Sequence, residues 1–298
     1  GAGGVVISRS IAADKYSAHE LAGMLATIGA INGIATVVAP IGGGVLADFG
    51  GWHGIFWFLF IVGVLLIIGS MRFRESLPGG QRQNIRWGDM YRRFGIVLHN
   101  RQYVRYILQY GFTMGVLFTN IASAPFIMQQ YYGLSPMLFS FCFGVNAVAM
   151  VISSALAVRF STMERALHVG NHGMLFISIL LSVAFFLDCN FWIYEILIFC
   201  LLAMVGMTFT ASNTLAMDCE RKNAGVASAL LGAIGFAFGG IVSPLVGMGD
   251  IRMSTGFLFF MGSLCSCVCA CFSFHRLPFR KKALNFAPYR IINVFLQK

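Results

Sequence analysis

The sequence predicts an all-α membrane protein, a helical bundle of about eight complete transmembrane helices preceded by a partial one. Of 298 residues, 58% are hydrophobic and only 11% are charged, against roughly 25% charged in a soluble domain. The mean hydropathy is +0.77. Apolar stretches of the roughly 20 residues that a helix needs to cross about 30 Å of hydrocarbon recur along the whole chain. Its 29 Phe and 34 Gly follow neither a heptad nor a Gly-X-Y period, which excludes coiled coil and collagen. The net charge of +10 does not make a nucleic-acid surface, because the basic residues stand in short gaps between apolar runs.

The chain opens in a partial span over residues 1–12. Gly1 has no charged region or cleavage site of a signal peptide around it, so the chain is expected to start inside a helix. Complete spans follow at approximately 20–47, 54–73, 103–128, 136–158, 167–187, 191–212, 224–248 and 253–274. Lys and Arg collect on the cytoplasmic side of short loops. With Lys15 cytoplasmic, the loops at 74–102, 159–166 and 213–223 and the tail from 275 share that side, and every Lys and Arg except Arg252 lies inside. The longest loop, from Arg74 to Gln102, carries Arg82, Arg86, Arg92, Arg93 and Arg101. Trp87 to Leu98 can be read as an amphipathic helix on anionic lipid, but a solvated basic linker is the preferred reading. The predicted organisation is residues 1–74 as the end of an N-terminal six-helix half, 75–102 as a cytoplasmic basic linker, 103–274 as a C-terminal six-helix half and 275–298 as a cytoplasmic tail.

An ungapped offset of 204 residues exposes an internal repeat. SRSIAAD, ending at Asp14, lies over SNTLAMD, ending at Asp218; Pro40 lies over Pro244 and Gly43 over Gly247. Small residues coincide as well: Gly29 with Ala233, Gly33 with Ala237, Ala35 with Gly239. Six spans fit within this offset, so the complete protein is expected to hold two six-helix halves in parallel repeat. The chain is then expected to lack about three and a half helices at its start.

Ile31 to Leu59, INGIATVVAPIGGGVLADFGGWHGIFWFL, is the most specific stretch. Pro40 lacks a backbone donor and clashes with the carbonyl four residues back, so it is expected to kink its helix. The glycines at 29, 33, 42, 43 and 44 let a neighbouring helix approach closely. A kinked, close-packed seam suits a gate; small-residue packing without gating is the alternative. The segment resembles the fifth-helix signature of drug:proton antiporters in the major facilitator superfamily, in which a Gly-Pro, two variable residues and a Gly pair end a Gly-spaced helix. Pro40, Gly43 and Gly44 match, and Ala39 stands in place of the first Gly. GAGGVVISRSIAADKY before it and RFRESLPG, from Arg72 to Gly79, narrow the resemblance to the Bcr/CflA subfamily, whose members export bicyclomycin, chloramphenicol or other small drugs. The resemblance implies helices 4 to 12 of a twelve-helix fold, with the first-helix acidic residue and the motif of the second-to-third-helix loop absent from this chain.

Intramembrane polar groups are the default candidates for a substrate path. Asn32, roughly 18 Å from Glu20, and Asn146, roughly 15 Å from Pro136, fall near the midplane at 1.5 Å per residue, with Asn120 further out. Tyr110, Met114, Phe118 and Phe143 can supply adaptable aromatic and thioether surface. Each Asn reads equally as interhelical packing glue. Glu195 and Asp188 are expected at the outer interface. Asp14 and Asp218 can form a charge latch with Arg9 and Arg221, or can be solvated loop acids. His168 and His172 share a face but lack the further ligands a metal requires. Cys265 and Cys269 share one helical face while Cys267 and Cys271 point away, so the four cannot converge on one ion, and no disulfide framework is implied.

No Gly-rich loop ending in Lys-Ser/Thr, no HExxH and no nucleophile with a base is present, so no enzyme is expected. The expected function is proton-coupled export of small drugs by alternating access, from a bacterial inner membrane, as a monomer. It would use the proton gradient and no cofactor or metal, with drug, protons and lipid bilayer as partners and no nucleic acid. An uptake carrier of the same fold and a non-transporting membrane fragment remain alternatives. The topology has a direct test. Cys219 is expected to react with membrane-impermeant thiol reagents only after the inner face is opened, and Cys189 to be the more accessible from outside. Labelling of Cys219 in intact cells would overturn the orientation.

Overall fold

The computed structural model describes residues 18–72, 87–220 and 223–274, and among these the secondary structure is helical throughout, with no strand. α1 runs over Ala18–Met71, α2 over Trp87–His99, α3 over Arg101–Pro125, α4 over Pro136–Ala157, α5 over Met163–Phe186, α6 over Phe191–Cys219, α7 over Ala224–Val246 and α8 over Ile251–Phe274. Seven of them are long and apolar enough to span a membrane, all but α2.

A straight helix as long as α1 would extend about 80 Å, far beyond the roughly 30 Å of a hydrocarbon core. It does not run straight. Gly51 takes φ 56° and ψ −161°, a conformation that only glycine adopts readily. A Cβ on Gly54 would lie 3.3 Å from the carbonyl oxygen of Leu46, although eight residues of continuous helix would separate them by about 12 Å. The chain therefore turns back on itself at Gly51, and α1 is two spans. The backbone at Pro40 stays helical. The turn thus falls in the expected gap between the spans 20–47 and 54–73, at Gly51, where the absence of a Cβ permits angles that Pro40 cannot take.

Five of the later helices, α3, α4, α5, α6 and α8, start where a polar side chain satisfies their first free N–H groups. Asn100 Oδ1 accepts from the N–H of Gln102 at 3.1 Å and of Tyr103 at 3.3 Å. Ser135 Oγ accepts from Leu138 at 3.3 Å, just before Pro136 at the first position of α4. Thr162 caps α5 through Arg165, Asn190 caps α6 through Trp192 and Ile193, and Asp250 caps α8 through Arg252 and Met253. After Pro125, α3 widens into a π-helical turn over Phe126–Tyr131 that carries Tyr131 to its end. The stretch from Trp87 preferred as a linker folds as helix α2, with Val97 buried and Arg92 and Arg93 exposed.

Helices in lipid gain nothing from hiding apolar side chains from one another, so they associate where small residues let their backbones approach. α6 sits between α4 and α5. A Cβ on Gly206 would collide with the carbonyl of Met150, and Ser154 Oγ donates to the Gly206 carbonyl at 3.0 Å. On its other side, Gly170 and Gly173 of α5 back onto Thr208 and Met204. α3 meets α7 through reciprocal clefts: Phe238 lies 2.8 Å from where a Gly111 Cβ would stand, and Phe118 lies 2.5 Å from that of Gly239. α8 closes on α3 at Gly262, which faces Val116, and on α5 at Gly256, whose carbonyl accepts from Ser182 Oγ at 3.0 Å. Outward faces carry Phe176, Trp192, Ile196, Phe236, Ile241 and Phe257, the apolar exposure that hydrocarbon requires.

Replacing Gly206 by Leu is expected to destabilise the α4–α6 contact by at least about 2 kcal/mol, because the added atoms overlap backbone that cannot rotate away. Gly63→Leu, whose Cβ meets nothing within 4 Å, is the matched control. Thermal unfolding in detergent should show a lowered midpoint for the first variant alone.

Candidate functional site

The α4–α6 contact that Gly206 makes possible brings together two polar residues of the interior. Asn146 is 1% exposed and its Nδ2 donates to Glu195 Oε1 at 3.0 Å. The remaining oxygens, Asn146 Oδ1 and Glu195 Oε2, are both buried without a hydrogen-bond partner. The acid expected at the outer interface therefore reaches the amide expected at mid-depth. Counting each helix from its own end left out which neighbour it faces.

Aromatic rings stand over this pair toward the α5–α6 turn. Tyr194, fully buried beside Glu195, packs against Tyr132 with ring centroids 5.5 Å apart and against Phe185 at 5.7 Å. Above them stands a clamp: Arg252 at the start of α8 forms an ion pair with Asp188, its guanidinium lies 4.2 Å over the Tyr131 ring, and the Tyr131 hydroxyl donates to Asp188 at 3.3 Å. The hydrogen bond from Arg252, reinforced by its charge, holds the Asp188 carboxyl below the usual carboxylate range. The clamp joins the ends of α3 and α8 to the α5–α6 turn. Arg252 was the lone basic residue on its side of the sequence, which is the signal that could have singled it out.

The other expected site residues are distributed over several contacts. Tyr110, Met114 and Phe118 follow one face of α3 at four-residue spacing and lie against Gly235 and Gly239 of α7, with Tyr110 also 5.3 Å from the Phe209 ring. Phe143 pairs with Phe139 on α4 at 5.6 Å. Asn120 is buried with its Oδ1 unpartnered. The structure brings Asn146 together with Glu195, not with the α3 aromatic face. In the α1 motif, a Cβ on Gly44 would lie 2.5 Å from Ser140 Oγ and 2.7 Å from Ser140 Cβ, whereas Gly43 meets nothing within 4 Å. The close approach therefore belongs to Gly44, which faces α4, while Gly43 lies about 100° around the helix. Pro244 and Gly247 are exposed; α7 ends at Val246, whereas α1 continues past Pro40 to Gly51. The surroundings of Gly29, Asn32 and Gly33 lie outside the described residues, as do Arg9, Asp14 and Arg221 entirely.

At the C-terminal end of α6, Asp218 is exposed. Two residues further on, Glu220 accepts from Asn100 Nδ2 at 2.6 Å and from Asn223 Nδ2 at 3.0 Å. Tyr103 adds a bond from its hydroxyl to the Ala227 carbonyl at 2.8 Å. His172 Nδ1 lies 2.8 Å from the carbonyl oxygen of His168, a local helical contact. No cluster of three or more metal-ligating side chains exists among the described residues.

A bundle of apolar helices joined through small residues, with sparse polar groups kept inside, is the architecture of a multi-span membrane protein. The chain belongs to the Major Facilitator Superfamily, whose family model matches residues 1–244. It is 34% identical over 253 residues to an uncharacterized MFS-type transporter, YdgK, of Bacillus subtilis (strain 168), covering 83% of this chain and 63% of that protein. It is 28% identical over 286 residues to a bicyclomycin resistance protein homolog of Haemophilus influenzae, covering 88% of this chain and 67% of that protein. The chain thus spans about two thirds of the length of these relatives.

Proposed function

We propose that the protein works as a drug:proton antiporter of the Bcr/CflA kind, exporting a small drug across a bacterial inner membrane by alternating access. The observation that carries this reading is the contact between Gly44, inside the Pro40-x-x-Gly43-Gly44 motif, and Ser140 of α4. It joins the helices before the basic segment at residues 75–102 to those after it. Two groups of helices that rock against each other need a seam that can close without side chains in the way, and a backbone-to-serine contact supplies one. The likeness to a bicyclomycin resistance protein homolog of Haemophilus influenzae supports a drug as cargo.

In this reading Tyr110, Met114, Phe118 and Phe143 offer the drug apolar and thioether surface, while Asn32, Asn120 and Asn146 supply polar anchors. Pro40 and Pro244, with Gly29, Gly33, Gly44 and Gly247, shape the two repeated gating helices. Arg9, Asp14, Asp218 and Arg221 form the inner latch, and the tail from 275 is cytoplasmic.

The glycine pair provides the test. Gly44→Leu is expected to reduce drug efflux from cells at least tenfold with membrane insertion intact, because its side chain occupies the α1–α4 contact. Gly43→Leu, placed in open space, should retain efflux. Equal export by both variants would remove the seam from the mechanism.

A further inference from the structure

We infer that Asn146 and Glu195 form a proton-binding site, in which a single proton on the Glu195 carboxylate closes a two-bond ring with the Asn146 amide. The site itself does not rest on the antiport reading; only its use in coupling does.

The hydrogen-bond inventory of the pair carries the inference. One bond is already made, from Asn146 Nδ2 to Glu195 Oε1 at 3.0 Å. Two atoms are left over, Asn146 Oδ1 and Glu195 Oε2, each buried and without a partner. With the carboxyl ionised both atoms only accept, so neither can satisfy the other. Buried acceptors left in this state are penalised, since water is no longer there to donate to them. A proton taken from water onto Oε2 turns that atom into an O–H donor, while the amide bonded to the same carboxylate still has an unused oxygen. The carboxylic acid then accepts from Nδ2 and donates to Oδ1, and both leftover atoms are satisfied at once. On release, the proton returns to water, the bond to Asn146 Oδ1 is lost and the bond from Nδ2 to Oε1 remains.

The surroundings leave this exchange to the pair itself. Among the described residues, the titratable groups acting with Glu195 are the Cys142 thiol on α4 and the Tyr194 hydroxyl beside it. Tyr132 and Cys189 stand beyond Tyr194. The Tyr194 hydroxyl is itself buried without a hydrogen-bond partner. On α5, Glu164, Arg165, His168 and His172 lie toward the opposite end, where Gly170 meets Thr208 of α6. On α3, Tyr110 and the basic residues before it also stand at that end, beside Phe209. α7 contains no titratable residue, and Arg252 of α8 is engaged by Asp188 in the outer clamp. No Lys or Arg among the described residues is bonded to Glu195 to hold it permanently ionised.

Infrared difference spectroscopy of the purified protein in lipid, titrated with acid, reads the protonation directly. A carbonyl band of a protonated carboxyl should appear with falling pH and be lost in Glu195→Gln, whose amide keeps a ring with Asn146 and preserves the fold. In Asn146→Ala the same band should move to higher frequency, because the acid carbonyl loses its amide donor. If Glu195→Gln fails to fold, Glu195→Asp replaces it; its shorter side chain breaks the ring and should likewise shift the band upward. A spectrum unchanged by these substitutions in folded protein overturns the proposal, as does a Glu195 carboxyl that binds a cationic drug while never taking up a proton. Drug export is measured separately under an imposed pH gradient. An intact Glu195 band with export indifferent to the gradient would leave the proton site standing and defeat the antiport reading.

Discussion

Close approach of helix backbones is the constraint on which the rest of this structure depends. In hydrocarbon no apolar side chain gains by turning inward, so the bundle is held where atoms can come near enough for dispersion and for short polar contacts. Glycine provides that proximity at successive interfaces: Gly206 between α6 and α4, Gly170 between α5 and α6, Gly239 and Gly111 between α7 and α3, Gly262 between α8 and α3. Serine and threonine then bond across the gaps, as Ser154 does to the Gly206 carbonyl and Ser182 to that of Gly256. The same economy of side chain that builds the bundle lets its elements slide or rock without disengaging a jigsaw of large residues.

This packing also decides where polarity is allowed. Asn146 and Glu195 share a buried bond because α4 and α6 are close. Asn171 accepts from Ser266 across α5 and α8 at 2.9 Å, and Ser266 lies 3.4 Å from Thr113 on α3. The second set is neutral and ties three helices together, as interhelical glue does. The first set contains an acid and leaves two acceptors unsatisfied, whereas the second leaves one donor, Asn171 Nδ2, unsatisfied and contains no group that can change its protonation. At the two ends of the helices the ties are different again: an ion pair stacked on Tyr131 at one end, and Glu220 with Asn100 at the other.

Most of the helical architecture was legible in the sequence because a bilayer reduces it to one dimension. A span must be apolar over a fixed length, and each interruption must be polar or glycine-rich, so the turn between the first two spans was bracketed between residues 47 and 54 before Gly51 was seen to make it. What lies around a helix was less legible. Gly43 and Gly44 differ by one position in the chain and by about 100° around the axis, and only the neighbour decides which of them is the contact. Glu195 was assigned to the interface by its distance from a helix end, but its partner is on another helix. Over Trp87–His99 the sequence allows both an amphipathic helix and a solvated basic linker, and the chain there is helical with Val97 buried.

The central claim is that Gly44 and Ser140 form a working contact between the helices on either side of the basic segment. Disulfide trapping tests it most directly: Gly44→Cys and Ser140→Cys are introduced together into a cysteine-free background, oxidised in native membranes, and drug export is followed before and after reduction. The account predicts that this pair cross-links readily, that the link arrests export, and that reduction restores it. Failure of the pair to link while Gly43→Cys and Ser140→Cys do so, or undiminished export with the link in place, would contradict it.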